Sequence, residues 1–418
     1  MDGGFVLTVN LDRLMADLEA FSAIGGDGQG GVTRLAFTPV DQSVRRLFQE
    51  TLAATGLHVR MDAMGNVFGR REGEENDLPP LLLGSHLDSV PNGGRFDGPL
   101  GVLSALEVIR MLEDAKVRTR RPVEVACFAA EESSRFGTGT LGSKAVAGRL
   151  TPGMLDALRD AEGRTLAESL RECGLSPDHL GEVRRRPGEY HAYLELHLEQ
   201  GAVLEHAGIP VGLVTGIAAP TRFRATYTGR ADHSGATPMG LRRDALVAGA
   251  ELVLSVRRIV LTHGSPTSVG TVGVLRVQPG AMNVIPGQAS LGIDLRDIDA
   301  AAKCRIAKKV QAAARRIARK WTLDVSIETL SDESPVPLPE RVRQVSVAAC
   351  QACGIPFLEL PSGAGHDAMY MAELAEAGMI FVRCREGVSH NPAEFVEPQD
   401  IAAGATVLAE TALRLAPE

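Results

Sequence analysis

Two hydrophobic periods alternate along the first half of the chain, and strand-like patterning returns near its end. Apolar residues recur at helical spacing in three segments, at 11–21, 42–54 and 102–112. Short apolar runs typical of β-strands lie at 66–68, 81–83, 123–130, 194–198 and 379–382. Because strands that alternate with helices usually pair in parallel, we predict an α/β fold with a largely parallel sheet flanked by helices.

The pattern changes character near residue 212. An alternating segment, a long helix, two strands and a second helix follow in order, at 223–227, 244–259, 269–277, 290–295 and 300–320. This β-α-β-β-α order predicts a separate, inserted α+β domain. We expect the insertion to cover residues 213–330 and to interrupt a domain formed by 1–212 and 331–418. Closely spaced prolines at 334–339 predict the return linker, since proline resists both helix and sheet.

Composition is that of an ordinary globular protein with two domains. The 418 residues exceed what one hydrophobic core usually organises. The net charge of −8 is spread over interspersed acidic and basic residues, which argues against a nucleic-acid partner. The sequence shows neither a secretory leader pattern nor an apolar run approaching about 20 residues, so we expect a cytoplasmic protein without a membrane partner. Six dispersed cysteines indicate reduced thiols rather than a disulfide scaffold.

Residue types that bind metal ions follow the predicted strands. In open α/β sheets, chemistry gathers at the carboxyl ends of the strands. Six histidines and carboxylates occupy such positions or the loops beyond them: His86, Asp97, Glu131, Glu132, His197 and His390. The set predicts a hydrolase with two metal ions, in which Glu132 binds metal and the adjacent Glu131 stays unbound to move a proton.

Several of these positions also have an ordinary structural explanation. Asp97 precedes a predicted helix and can be an N-cap, although one aspartate can also bridge two metals. The pair Glu131 and Glu132 can lie in a solvated loop, and a half-exposed strand explains the alternation around His197. Asp88 lies two residues after His86, on the same face of an extended chain, where its carboxylate can orient the imidazole. The concurrence of all six favours the metal site.

Two further segments have the chemistry of substrate recognition. Residues 362–367 are rich in glycine and precede a predicted helix at 368–377, so backbone N–H groups there can hold an anion, although a plain connector fits as well. In the inserted domain His233, Asn283 and Arg296 supply hydrogen-bond donors, and the guanidinium of Arg296 suits a carboxylate. The alternative for these three is ordinary solvent-exposed polarity.

Seven motifs occur in an order that resembles a known family. They lie at 84–90, 93–98, 131–136, 197–201, 232–239, 283–287 and 389–392. Together they resemble the hydantoinase/carbamoylase branch of the aminoacylase and dizinc-exopeptidase superfamily, over nearly the whole chain. Ser133 departs from the pattern, because many relatives have glycine there.

The resemblance implies a catalytic α/β domain, an inserted lid that also forms the dimer, and two divalent ions, zinc or manganese, cobalt or nickel. It gives ligand roles to His86, Asp97 (bridging), Glu132, His197 and His390, and the base role to Glu131. It also implies that His233 crosses the homodimer to complete the partner's site. Substrate contacts are implied for Gln200, Asn283 and Arg296, with the loop of Gly363, Ala364 and Gly365 assisting at the substrate carboxylate.

The function hypothesis is hydrolysis of the ureido C–N bond of an N-carbamoyl-L-α- or β-amino acid. Residues 95–98 and 294–297 resemble N-carbamoyl-amino-acid hydrolases more than allantoate amidohydrolases. The alternatives are allantoate or ureidoglycolate, an N-acyl-amino acid or a dipeptide on the same site, and a catalytically silent scaffold. The presence of all five ligands and the base argues against the silent scaffold.

Overall fold

The computed structural model describes residues 7–417, which form two compact units. Unit 1 holds the described residues up to Thr215 together with Leu338–Leu360 and residues 365–417. Unit 2 holds Gly216–Pro337 and Pro361–Ala364. The structure therefore divides the chain a few residues beyond the boundaries expected from the sequence, and it adds a short second segment to unit 2.

The helices are named in chain order. They are α1 (Leu11–Ala23), α2 (Pro39–Ala54), α3 (Pro99–Asp114), α4 (Leu141–Val146), α5 (Pro152–Ala157), α6 (Leu166–Glu172), α7 (Leu180–Val183), α8 (Val203–Ala207), α9 (Ala245–His263), α10 (Ala300–Lys320), α11 (Glu340–Cys353), α12 (Ala368–Met371) and α13 (Pro398–Leu415). Short 3₁₀ turns lie at Pro177–His179, Met239–Leu241 and Arg385–Gly387. In the part of the chain that the structure describes, no helix is long and apolar enough to cross a membrane.

The strands are named in the same way. They are β1 (His58–Met61), β2 (Val67–Arg71), β3 (Leu81–His86), β4 (Val123–Phe128), β5 (Ala192–Leu198), β6 (Val211–Ile217), β7 (Ala219–Thr228), β8 (Asp232–His233), β9 (Val269–Gln278), β10 (Val284–Ile285), β11 (Gln288–Asp297), β12 (Asp324–Asp332), β13 (Val336–Pro337), β14 (Phe357–Ser362) and β15 (Glu376–Val382).

The main sheet has a parallel centre and antiparallel edges. Its order is β1-β2-β4-β3-β5-β15-β6-β13, with β14 also pairing with β6. Strand β3 pairs in parallel with β4 and β5, and β5 pairs in parallel with β15. The predicted α/β class with a largely parallel sheet is therefore confirmed. The alternative of a half-exposed strand around His197 is wrong, because all seven residues of β5 are buried at the centre of the sheet.

Helix α3 fixes the strands that carry the candidate metal ligands. It packs on β3, β4 and β5, and most of its side chains are buried in the core of unit 1. Gly101 is the point of closest approach. A Cβ placed there would overlap the carbonyl oxygen of Leu196 and lie 2.7 Å from Cβ of Ser85. Glycine therefore lets the helix lie directly against the strands of His86 and His197.

Unit 2 is a four-stranded antiparallel sheet with two helices on one face. The strand order is β12-β7-β11-β9, and α9 and α10 pack on the sheet and on each other. Burial alternates along β11, with alanine, leucine and isoleucine facing the helices. The predicted β-α-β-β-α order is incomplete, because β12 adds a fourth strand whose residues are largely exposed at the sheet edge.

Two other local predictions differ from the structure. The helix predicted at 368–377 ends at Met371, since the chain turns back and enters β15 at Glu376. The prolines of 334–339 do not exclude sheet structure, because Val336 and Pro337 form β13 against the end of β6. A two-residue edge bridge of this kind tolerates proline, which lacks the N–H of an interior strand.

We expect Gly101→Ala to lower the free energy of unfolding by about 1–3 kcal/mol, because the added methyl must push α3 from the sheet. The matched control is Gly153→Ala in α5, where an added Cβ meets no atom within 4 Å. That variant should be neutral or stabilised by up to about 1 kcal/mol. Chemical denaturation of both variants measures the difference, and equal stabilities would contradict the close approach.

Candidate active site

The predicted ligands of unit 1 gather at the carboxyl end of the parallel strands. His86 is the last residue of β3, His197 is the penultimate residue of β5, and Glu131 and Glu132 follow β4. Asp97 lies in the turn before α3, and His390 lies in the loop after β15. Side chains separated by up to about 300 positions in sequence are thus brought to one edge of the sheet. His86, Asp97 and His197 are buried, whereas His390 is exposed.

The first group of possible ligands is His86, Asp97 and His197. Oδ1 of Asp97 lies 3.1 Å from Nε2 of His197 and 3.7 Å from Nε2 of His86. The other ring nitrogens face backbone carbonyls: Nδ1 of His86 is 3.0 Å from the oxygen of Asp88, and Nδ1 of His197 is 2.9 Å from that of Leu198. A carbonyl only accepts, so each Nδ1 carries a proton, and Nε2 is the nitrogen that would donate its lone pair to a metal ion.

The second group shares the same aspartate. It consists of Asp97, Glu132 and His390. Nε2 of His390 lies 3.2 Å from Oδ2 of Asp97 and 3.2 Å from Oε1 of Glu132. These two carboxylates raise the pKa of His390 to about 10. The environment of that nitrogen therefore strongly favours a positive charge.

The spacing of these atoms fits a pair of metal ions. Ligand atoms that lie about 2.0–2.2 Å from a tetrahedral ion lie about 3.3–3.6 Å from one another. The measured separations of 3.1, 3.2 and 3.7 Å bracket that range. Imidazole and carboxylate donors are those that zinc, manganese, cobalt and nickel accept. The donor set can hold two divalent ions with Asp97 between them.

Glu131 lies beside the first group without belonging to it. Its Oε2 is 3.8 Å from Nε2 of His86. Burial and the carboxylate of Glu132 raise its pKa well above the ordinary value. A carboxylate that lies beside a metal site without joining its ligand group has the position of a general base.

Asp88 acts differently from the sequence prediction. Its carboxylate oxygen is 3.8 Å from Nδ1 of His86, too far for a hydrogen bond, and the imidazole contacts the backbone carbonyl of Asp88 instead. The carboxylate accepts from the backbone N–H groups of Glu131 and Glu132, at 3.1 and 3.0 Å. Asp88 therefore holds the turn that presents both glutamates.

Three residues of the site have a left-handed backbone although none is glycine. Ala130, directly before the glutamate pair, has φ of 52°, Gln200 has 56° and His390 has 54°. This conformation is uncommon for residues with a Cβ and costs free energy, so the surrounding contacts must enforce it. Its concentration around the ligand cluster is typical of a functional site.

Asp97 has three further hydrogen-bond partners, Gln200, Ser389 and Glu394. No sequence pattern indicated that they form one network around it. Gln200 Nε2 and Ser389 Oγ each donate to Oδ2 of Asp97 at 2.8 Å. Ser389 also bonds to Glu394, whose other oxygen accepts from the backbone N–H groups of Phe96 and Asp97. Burial and the nearby Asp97 raise the pKa of Glu394 to about 7. Gln200, predicted as a substrate contact, thus faces the ligand cluster.

A second buried network lies behind His197 and was also missed. Glu195, His197 and His366 form a third close group of possible ligands. Glu195 is already engaged, since it accepts from Ser85 Oγ at 2.9 Å, Tyr193 O–H at 3.1 Å and Ala368 N–H at 3.1 Å. The start of α12, for which the sequence left open either an anion site or a plain connector, therefore holds an internal carboxylate.

In unit 2, His233 and Asn283 lie side by side. Strand β8, which ends at His233, pairs with β10, which begins directly after Asn283, and Ser234 N–H donates to the carbonyl of Asn283 at 3.1 Å. Nδ1 of His233 accepts from the N–H groups of Gly235 and Ala236, at 3.0 and 3.1 Å. An accepting Nδ1 leaves the proton of the neutral ring on Nε2. His233 is exposed and presents that N–H as a donor.

Arg296 is held at the end of β11. Its Nε and Nη2 donate to the two carboxylate oxygens of Asp294, at 3.0 and 3.2 Å, and its Nη1 donates to the carbonyl of Gly363 at 2.7 Å. Ala364 bonds to the side chain of Ser362, and Gly365 begins the return to unit 1. Arg296 thus contacts the glycine loop within unit 2 through a hydrogen bond from its guanidinium to a backbone carbonyl.

Comparison with known proteins identifies the family of the chain. A model of peptidase family M20/M25/M40 matches residues 82–414. The chain is 45% identical to the N-carbamoyl-L-amino acid amidohydrolase of Geobacillus stearothermophilus, over 97% of this chain and 98% of that one. It is 38% identical to the ureidoglycolate hydrolase of Arabidopsis thaliana, over 98% and 87% of the two chains.

A solved structure agrees with these relatives. An amidase of the hydantoinase/carbamoylase family from Burkholderia multivorans superposes with a TM-score of 0.93 at 38% identity, covering 99% of each chain. Together with the ordered ligand groups, these similarities show that the chain belongs to the hydantoinase/carbamoylase branch of peptidase family M20/M25/M40.

Proposed function

We propose that the protein hydrolyses the ureido C–N bond of N-carbamoyl-L-amino acids, giving the amino acid, carbon dioxide and ammonia. The proposal rests on the position of Asp97, whose two oxygens face two separate groups of possible ligands, and on Glu131 beside them. The 45% identical relative that acts on N-carbamoyl-L-amino acids supports this substrate over the others. The alternative is ureidoglycolate or a related ureido acid, as in the plant relative.

In this proposal His86, Asp97 and His197 hold one divalent ion, and Asp97, Glu132 and His390 hold the other. Zinc, manganese, cobalt and nickel all suit these donors. When bound, such ions polarise a carbonyl and lower the pKa of a water from about 15.7 toward about 7. The remaining chemistry belongs to side chains of the protein.

Glu131 accepts the proton of the attacking water, whose oxygen bonds to the carbamoyl carbon. The Nε2–H of His233 is a donor suited to the oxyanion that forms, since its tautomer is set by Gly235 and Ala236. Glu131 then returns the proton to the amino-acid nitrogen as the C–N bond breaks. Carbamic acid leaves and decomposes to carbon dioxide and ammonia. Asn283 and Arg296 bind the substrate, and Arg296 with the loop of Gly363 to Gly365 takes its carboxylate.

Unit 2 is proposed as the lid and dimerisation domain. Val247, Leu254 and Leu261 are 39%, 72% and 69% exposed and lie seven residues apart on α9, so they form one stripe along the helix. Leu275, 44% exposed, lies on β9, the edge strand of the sheet. An apolar stripe beside an edge strand is suited to a second copy of the same surface.

The substrate class is tested by ammonia and amino-acid release from protein reconstituted with manganese or zinc. We expect turnover of N-carbamoyl-L-amino acids that a chelator abolishes and added metal restores. N-carbamoyl-β-alanine, allantoate, ureidoglycolate and N-acetyl-amino acids complete the panel. Turnover of only a non-carbamoyl compound would show that the substrate differs from the one proposed. No turnover of any compound would contradict the proposal.

The adjacent glutamates provide matched variants. Glu131→Gln should lower kcat by about 10²–10⁴-fold and keep its metal, because the amide cannot accept the proton of water. Glu132→Gln should lose metal as well as turnover, because an amide is a weaker ligand than a carboxylate. Metal content by plasma mass spectrometry separates the two. Full activity in Glu131→Gln would remove that residue from its role.

The crossing histidine is tested by mixing His233→Ala subunits with Glu131→Gln subunits, each inactive alone. Statistical exchange makes half of the dimers mixed, and each mixed dimer has one intact site of two, so about a quarter of wild-type activity should return. Differently tagged subunits verify that exchange took place. Verified exchange without recovered activity would show that His233 acts within its own chain or not at all.

A further inference from the structure

The face of the unit 2 sheet that turns away from α9 and α10 contains a hollow of about 600 Å³. This volume lies within the range of about 300–1,000 Å³ that holds small ligands. Two glycines, Gly273 on β9 and Gly292 on β11, line it, and neither places a side chain there. Arg296 and Asp294 also line it, so the hollow lies beside the proposed carboxylate contact.

Two β-bulges lie at this hollow, and one of them turns an apolar side chain toward it. Gly292 pairs with Val274 and Ile293 with Val272, so Gly273 is the extra residue of a bulge in β9. Thr329 pairs with Phe223 and Ser331 with Arg222, so Leu330 is the extra residue of a bulge in β12. A bulge shifts the alternation of the strand and re-aims the side chains that follow it. Val274 lines the hollow for this reason, and Leu330 lines it as the extra residue of its own bulge.

The exposed apolar surface here differs from the rest of the face. Val269, Val274 and Leu330 are 54%, 45% and 48% exposed around the hollow. Farther along the same face the outward residues of the central strands are polar, as at Arg224, Thr226 and Ser290. Grouped exposed apolar side chains gain free energy when an apolar group covers them.

The charge beside the apolar surface favours an anion. Arg222 and Arg296 both pair with the single carboxylate of Asp294, which leaves an excess of one positive charge. Arg296 uses three of its five N–H groups on Asp294 and Gly363, so one N–H on each terminal nitrogen remains for a ligand. A pair of parallel N–H groups matches a carboxylate.

We infer that this hollow binds the apolar side chain of a substrate whose carboxylate pairs with Arg296. The substrates are then N-carbamoyl-amino acids with aliphatic or aromatic side chains, and allantoate is disfavoured because its second ureido group would cover the apolar surface of Val269, Val274 and Leu330 with polar atoms. The inference rests on the proposed function, which supplies the role of Arg296. It adds the side-chain preference and the residues that set it.

The test is Gly273→Leu, which adds a side chain to the lining of the hollow. A Cβ at this position meets no atom within 4 Å, so the new side chain extends into open space without displacing the fold. The ratio of kcat/KM for N-carbamoyl-L-leucine to that for N-carbamoylglycine should fall at least about tenfold, the usual cost of a blocked apolar subsite. The matched control is Ser326→Leu, exposed on β12 outside the hollow, which should leave the ratio unchanged.

The outcomes separate this inference from the proposed function. If the wild type hydrolyses N-carbamoyl-amino acids and Gly273→Leu leaves the ratio unchanged, the subsite is overturned and the proposed function stands. If the wild type hydrolyses none of them, the proposed function fails. Calorimetric titration then decides the subsite: tighter binding of N-carbamoyl-L-leucine than of N-carbamoylglycine that Gly273→Leu abolishes supports it, and equal binding overturns it.

Discussion

The shared carboxylate of Asp97 is the interaction on which the site depends. One oxygen faces the imidazoles of His86 and His197, and the other faces His390, with Glu132 beside it. A buried carboxylate with a second, half-buried carboxylate so close to it is unfavourable without compensating positive charge. The same two carboxylates raise the pKa of His390. Two divalent ions would compensate their negative charge more completely than one proton on His390. The strands, the α3 turn and the surrounding hydrogen bonds keep these groups together.

The fold orients the ligands mainly through its backbone. Carbonyls of Asp88 and Leu198 set the tautomers of two histidines, and the carboxylate of Asp88 holds the N–H groups of the glutamate turn. Glu394 likewise bonds to the N–H of Asp97. Unit 2 uses the same principle at His233, whose accepting nitrogen faces two backbone N–H groups. Rigid backbone groups hold a site without adding side chains that compete for the metal or the substrate.

Residue type and local pattern were enough to predict the parallel sheet and to select the residues that meet around Asp97. Helix α10 spans Ala300–Lys320, the predicted range, because its apolar residues face one side over many turns. Strand β12 was missed because its alternation is short: Val325 and Ile327 alternate with polar residues, but the bulge at Leu330 breaks the pattern. Glu394 was missed because its partner, the N–H of Phe96, lies 298 positions away, and nothing local marks such a contact. The bulges at Gly273 and Leu330 likewise depend on strand register.

Anomalous X-ray diffraction from crystals of the zinc- or manganese-reconstituted protein tests the central claim most directly. The account predicts two anomalous peaks per chain, one in contact with His86 and His197, the other with Glu132 and His390, and both in contact with Asp97. A single peak, or a peak held by Glu195, His197 and His366 instead, would contradict the shared-aspartate centre and the mechanism built on it.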